Sequence, residues 1–361
     1  MNDNCILTIG VPTYNRAFYL ESFFKLLFDV LKFTVKVKVL ISDNNSPDNT
    51  EEICKKWVPI FQNNNIQIEY IKREEHVSGV ENILSLFKKV DTPYFMFLGD
   101  DDALNKDGFL SVIEALDHSP SAVIQNIFSG KIISDKFGFV NSKDSFKLFY
   151  EYGNAFVSII ATDCLSDIFS NKTMSNELSN MIWPQTVIGY LTILELESTK
   201  RPYIINQTIG DTFVAEGTKL TNSEYWVKSL QDLLVAALLI KKYSNKDYAI
   251  KNFISLKNHG FISHIKAIIS YSILQNIEPP ITALLELLKK NFGFRGILLK
   301  LFLQIFLFRK TTLFFSAKTL LMIKLRMNWK STEKYIHNKQ IEYLNKINNV
   351  NYTKYRYQNW F

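Results

Sequence analysis

A chain of 361 residues is too long for one ordinary compact core and long enough for a catalytic domain plus a second unit, and its 47% hydrophobic content excludes wholesale disorder. Three widely spaced cysteines, Cys5, Cys54 and Cys164, fit neither a disulfide framework nor a zinc site and point to a reducing compartment. The net charge of +7 belongs to the tail, because Lys290 to Phe361 carries fourteen Lys and Arg against two Glu, a net of +12, which leaves −5 on Met1 to Lys289; a slightly acidic body is not that of a nucleic-acid reader.

The opening Met-Asn-Asp-Asn runs into Ile6-Leu7-Thr8-Ile9 without a basic start and apolar signal core, so the expected location is cytoplasmic. Ile6 to Val11 reads as a strand stopped by Pro12, Phe18 to Leu31 as a helix, and alternating Val35, Val37, Val39 and Ile41 as a second strand. Asp48 or Ser46 is placed to cap a helix reaching about Phe61, followed by a strand over 66–71 and a helix over 79–90. Tyr94 to Leu98 is a continuous apolar run, as expected of a strand covered on both faces. This alternation predicts an α/β fold, Rossmann-like, with a mostly parallel sheet and helices on both faces. A helix over 107–116 follows, then strands at 121–128 and 155–162 and a helix at 181–196. From about Tyr225 the pattern is all-helical, which places the boundary of an N-terminal domain (1–218) and a helical C-terminal region (219–361) near 218.

Ligands of open parallel sheets sit beyond the carboxyl ends of the strands. Three strand ends are rich in polar residues: Pro12-Thr13-Tyr14-Asn15-Arg16, Ser42-Asp43-Asn44-Asn45-Ser46 and Gly99-Asp100-Asp101-Asp102. Adjacent carboxylates repel, and folding them together calls for a cation. Carboxylate oxygens without a Cys or His pattern favour Mg²⁺ or Mn²⁺, completed by the oxygens of a diphosphate. The competing reading is a solvated turn in which Asp102 or Asp107 caps the next helix. An aromatic face at Tyr14 suits a nucleotide base, and Asp43 suits its N–H groups. No G-x-G-x-x-G follows the first strand, which disfavours a dinucleotide oxidoreductase.

In order and spacing, Ile9-Gly10-Val11-Pro12-Thr13-Tyr14-Asn15-Arg16, Ile41 to Thr50, Gly79 with Asn82, and Phe97-Leu98-Gly99-Asp100-Asp101-Asp102 resemble the GT-A fold glycosyltransferases of family 2, in the branch that builds bacterial lipopolysaccharide and capsule. The likeness covers about residues 5–110 well and fades by about 215. It implies an inverting transfer from a nucleotide-diphosphate sugar to a glycan or polyprenyl-linked acceptor. It also implies nucleotide contacts from Pro12, Thr13, Tyr14, Asn15, Arg16, Asp43, Arg73, Gly79, Asn82 and Asp100, with the metal on Asp101 and Asp102. Gly99 stands where the family's Asp-x-Asp-Asp stretch has its first acid, as in transferases resembling abequosyltransferases. The family's general base is an Asp some eighty residues beyond the metal motif; here Asn180 to Gln185 contains no acid, which leaves Glu177 and then Asp163 as candidates. A module of the same fold that binds nucleotide-sugars without turnover is the rival reading.

The segment 296–330 is Leu- and Phe-rich and is interrupted by Lys300, Arg309, Lys310, Lys318, Lys324 and Arg326. No window of 18 residues there is free of charge, which disfavours a membrane span. A helix lying in an anionic membrane interface and a buried helix with snorkelling lysines both fit.

Overall fold

The structure, a computed structural model, describes residues 5–34, 36–128, 131–132, 134–146, 148, 159–181, 183–212, 232 and 235–242. The expected boundary near 218, the C-terminal helices beyond 242 and the segment 296–330 lie outside these residues. The helical stretch 235–242 belongs to the same compact unit as residues 5–212. No helix among the described residues is long and apolar enough to cross a membrane.

The first half follows the expected alternation: β1 (Leu7–Thr13), α1 (Ala17–Leu31), β2 (Val37–Asp43), α2 (Thr50–Gln62), β3 (Gln67–Lys72), α3 (Gly79–Lys88) and β4 (Tyr94–Phe97). Next come β5 (Asp102–Leu104), α4 (Lys106–Leu116), β6 (Ala122–Gln125), β7 (Ile127–Phe128), β8 (Lys131–Ile132), β9 (Gly138–Phe139) and α5 (Ser142–Phe146). The unit continues with β10 (Ile159–Ala161), α6 (Leu165–Ser170), α7 (Lys172–Ser179), α8 (Pro184–Glu195), β11 (Tyr203–Ile205) and β12 (Gly210–Thr212).

Eight strands form one sheet in the order β3-β2-β1-β4-β10-β6-β11-β9. The pairs β3-β2, β2-β1, β1-β4 and β6-β11 are parallel, while β10 runs against both β4 and β6, and β9 runs against β11. The mixed α/β, mostly parallel expectation therefore holds, with two reversed strands that the sequence pattern did not single out. The chain leaves β1 toward β2 on one side and returns to β4 on the other, so the strand order reverses at β1 and opens a crevice at its carboxyl end.

Hydrophobic burial explains this order. Leu7, Ile9 and Val11 of β1 and Val39 and Ile41 of β2 are fully buried, as are Phe24 of α1 and Phe61 of α2, which pack edge to face. The expected strand over 121–128 breaks at Asn126. Its amide nitrogen donates to the Ser134 carbonyl at 2.7 Å and its carbonyl oxygen accepts from the Ser134 N–H, diverting the chain into the β7-β8 hairpin. A pattern-based reading sees only the apolar run and misses this side-chain clamp.

Candidate active site

The carboxyl ends of β1, β2 and β4 meet at one edge of the sheet, and hydrogen bonds join their loops. Beyond β1 the chain turns through Asn15, whose φ of 56° lies in the left-handed region that Asn tolerates, and Asn45 beyond β2 does the same at 58°. Three successive N–H groups, those of Asn15, Arg16 and Ala17, then donate to Ser46 Oγ (2.9 Å), Thr50 Oγ1 (3.1 Å) and Asp48 Oδ2 (3.0 Å). Arg16, at the N-cap position of α1, makes no side-chain cap; the cap comes from the neighbouring loop. Asp48 Oδ1 meanwhile accepts from the Thr50 N–H that opens α2. Thus Asp48 serves the starts of two helices, whereas Ser46 ties Asn15 to Asp43. Asp48→Ala is expected to cost about 1–2 kcal/mol of stability, read by urea unfolding; a loss within error would show that water replaces the cap.

Asp43, at the end of β2, is fully buried. Its Oδ1 accepts from the Ser46 N–H at 2.9 Å and the Ser46 hydroxyl at 2.6 Å, and its Oδ2 accepts from the Tyr70 hydroxyl at 2.6 Å. Burial, then the Asp43 carboxylate, push the Tyr70 phenol upward, so it stays a donor. In this arrangement Asp43 organises the loop. Tyr14 presents a surface to a base: it is 43% exposed and packs against His76 with ring centroids 4.3 Å apart. The His76 ring lies 3.2 Å from the Asn44 carbonyl, so this histidine belongs to the rim of the site.

Asn44 extends the network to the third loop, since its amide donates to the Val77 carbonyl at 2.8 Å and its carbonyl accepts the Val77 N–H at 2.9 Å. Asn82 is buried and bonded to Ser42 through both ends of its amide, so it fastens α3 to β2. Gly79 opens α3 in exposed space with nothing near its absent side chain. Arg73 follows β3; its N–H donates to the Asp43 carbonyl, and its guanidinium lies 3.9 Å from Glu81.

Beyond β4 the acidic triplet divides its tasks. Asp100 is buried, accepts from the Thr13 hydroxyl at 2.8 Å and faces Arg16 Nε at 3.7 Å. Burial pushes its carboxyl up to about 7; Arg16 and the Thr13 hydroxyl oppose that rise and Asp101 adds to it. Asp101 is part-exposed and is also raised, chiefly by burial and against the pull of Arg16. Asp102 is buried in β5 and accepts from the Gly99 N–H at 2.9 Å. A Cβ at Gly99 would stand 2.7 Å from both Asp101 Oδ1 and Asp102 Oδ2, so these carboxylates lean over the glycine. The helix-cap reading falls elsewhere, because Asn105 caps α4 by accepting the Gly108 N–H.

A carboxyl raised to about 7 binds more protons folded than unfolded between about pH 4 and 7, so stability from Asp100 is present below that window and lost as pH rises through it. The metal-free protein should therefore melt higher at about pH 5 than at about pH 8, and Asp100→Asn should flatten that difference. An unchanged slope in the variant would assign it to other groups.

The two candidate bases are not brought into this cluster. Thr162 donates its N–H to the Pro93 carbonyl and Asp163 pairs with Lys200 at 2.8 Å, so Asp163 lies past the end of β10 at the edge where β4 begins. β10 runs antiparallel to β4 and carries the chain away from Asp100. Glu177 is half-buried on α7, and no hydrogen bond or ion pair joins it to Thr13, Arg16 or the triplet among the described residues. Gln185 is a feature the motif reading passed over. It is 2% exposed, stands in the first turn of α8, and neither its carboxamide oxygen nor its nitrogen has a hydrogen-bond partner among the described residues. A carboxamide among the buried, mostly apolar residues of α8 is the sequence signal that marks it.

Residues 8–176 match the family described as Glycosyl transferase family 2. The abequosyltransferase RfbV of Salmonella typhimurium is 32% identical over 112 residues, 31% of this chain and 33% of the relative. A processive diacylglycerol beta-glycosyltransferase of Mycoplasma pneumoniae is 28% identical over 137 residues, 37% of this chain and 39% of the relative. The match thus spans between a third and two-fifths of the length of these relatives. Among solved structures, S. aureus TarS in complex with UDP-GlcNAc superposes with a TM-score of 0.56 at 16% identity, covering 79% of this chain and 81% of that one. The mannosyltransferase PcManGT from Pyrobaculum calidifontis, in complex with GDP-Man and Mn²⁺, does so at 0.50 and 11% identity over 74% and 75%. Such distant likeness speaks to the fold, and it is the GT-A fold. The family match is carried by residues 8–176, just under half of the chain.

Proposed function

We propose that the protein transfers a sugar, with inversion, from a nucleotide-diphosphate sugar to a glycan or lipid-linked glycan acceptor in the making of a bacterial surface polysaccharide. The observation that carries this is the acidic triplet at the crevice beside β1, with Asp101 and Asp102 leaning over Gly99 and Asp100 held by Thr13 and Arg16. The family match over residues 8–176 and the titles of the relatives support it. A lipid acceptor is in keeping with the diacylglycerol relative and with the interfacial-helix reading of 296–330.

No three His, Cys, Asp or Glu side chains converge as a closed metal cage among the described residues. Two carboxylates fit a Mg²⁺ or Mn²⁺ ion whose remaining ligands are substrate oxygens. Asp101 and Asp102 would hold it, and when bound it neutralises the charge gathering on the departing diphosphate. Arg16, half-exposed beside Asp100, adds positive charge at the same place. The exposed face of Tyr14 receives the base, and Asp43, Ser46 and Tyr70 hold the loop beneath it. Glu177 remains the candidate base to test.

A thermal-shift screen of UDP-, CDP-, GDP- and dTDP-sugars, with and without Mn²⁺, tests the proposal. One nucleotide class should raise the melting temperature more with Mn²⁺ than without, and nucleoside diphosphate should be released from it. Binding without release would instead select the inactive module, the reading favoured by a carboxamide at Gln185 in place of an acid. The absence of any shift would reject both.

A further inference from the structure

We infer that Gln185 is the hydroxyl-binding residue of the acceptor site, its buried carboxamide orienting the incoming oxygen on the same edge of the sheet as the acidic triplet. This rests on the proposed glycosyl transfer and adds a residue that neither the motifs nor the comparisons assign.

The position follows from topology. After α8 the chain reaches Lys200, which pairs with Asp163, and Arg201, whose carbonyl accepts the Ser121 N–H just before β6. Both contacts lie at the edge where β4 and β6 begin, so α8 ends there. Its twelve residues rise roughly 18 Å, enough to cross the sheet, and it packs along β10 and α3. The neighbouring α3 starts at Ser78, directly after the loop that Asn44 stitches to the carboxyl end of β2. The first turn of α8 therefore stands at the site's edge.

The chemistry follows from the orphaned amide. Every residue from Pro184 to Leu194 is buried, and Gln185 is the one whose two polar side-chain atoms are both without a partner among the described residues. Leaving a donor and an acceptor buried together is unfavourable unless a ligand satisfies them. A hydroxyl does both at once: it donates to Oε1 and accepts from Nε2. The free N–H end of a helix of this length favours the oxygen as negative charge grows on it. A carboxamide does not take the proton, so the role is binding and orientation.

Water is itself a hydroxyl acceptor, so the test needs no identified glycan. With the full chain, Mn²⁺ and the nucleotide sugar that gives the largest thermal shift, nucleoside diphosphate release is measured without added acceptor. For Gln185→Leu, of similar size and fully apolar, we expect release slowed about tenfold or more, donor affinity within about twofold, and a melting temperature unchanged or raised. Gln185→Glu, which keeps an acceptor oxygen in place, should hold release above the Leu variant. Release by Gln185→Leu within about twofold of wild type would overturn the inference and leave the amide holding a structural water. A wild type that binds the donor without releasing nucleotide would also overturn it. Failure of the wild type to bind any donor would instead bring down the proposed function.

Discussion

Asp101→Asn is expected to lower sugar transfer roughly a thousandfold, the several kcal/mol that a metal contributes to charge on a leaving diphosphate. Asp101 is the part-exposed member of the triplet, while Asp100 is tied to Thr13 and Asp102 to the Gly99 N–H. Its carboxylate therefore has the most freedom to meet an ion. The amide keeps the size and removes the charge. Burial already raises the Asp101 carboxyl, so removing its charge relieves a desolvated cluster, and the variant should melt no lower than wild type. Nucleotide binding in Mn²⁺ should fall to the level seen without it. Normal turnover in Asp101→Asn would remove the metal assignment.

Gly108→Ala should be the most damaging single methyl addition in the domain. A Cβ there would overlap the Thr208 carbonyl and press within 3.1 Å of Ile209 Cα, both of them backbone atoms that cannot rotate away. The same backbone accepts the Asn105 N–H at Ile209 and leads into β12, which pairs Thr212 with Asp102 of β5. Stability should drop by at least about 3 kcal/mol, roughly a 10 °C fall in melting temperature, and Mn²⁺-dependent nucleotide binding should weaken with it. A variant that melts like wild type would mean that the backbone at Thr208 and Ile209 shifts freely to make room.

The first hundred residues were legible because each strand end there carries its own local signal. Apolar runs give β1, β2 and β4, and the turn-forming Asp, Asn and Gly residues that stop them are the ones that face the crevice. The identity of these residues could be read, but their division of labour could not. The sequence does not show that Tyr70, 27 positions away, bonds to Asp43, or that Ser42 meets both ends of the Asn82 amide. Beyond Leu116 the elements are short and their partners distant: β10 is three residues long and reversed, and β11 pairs with β6 across some eighty positions. Strands of that length are specified by their neighbours rather than by their own periodicity. The direction of β10 sets where Asp163 lies, which no spacing rule could supply.

The stitching of the three strand-end loops by Ser46, Asp48, Thr50 and Asn44 bears on how quickly a donor is captured. A collar already fastened in the empty protein has its ordering entropy charged to folding, so the nucleotide meets a finished cradle and encounter proceeds without waiting for the backbone to close.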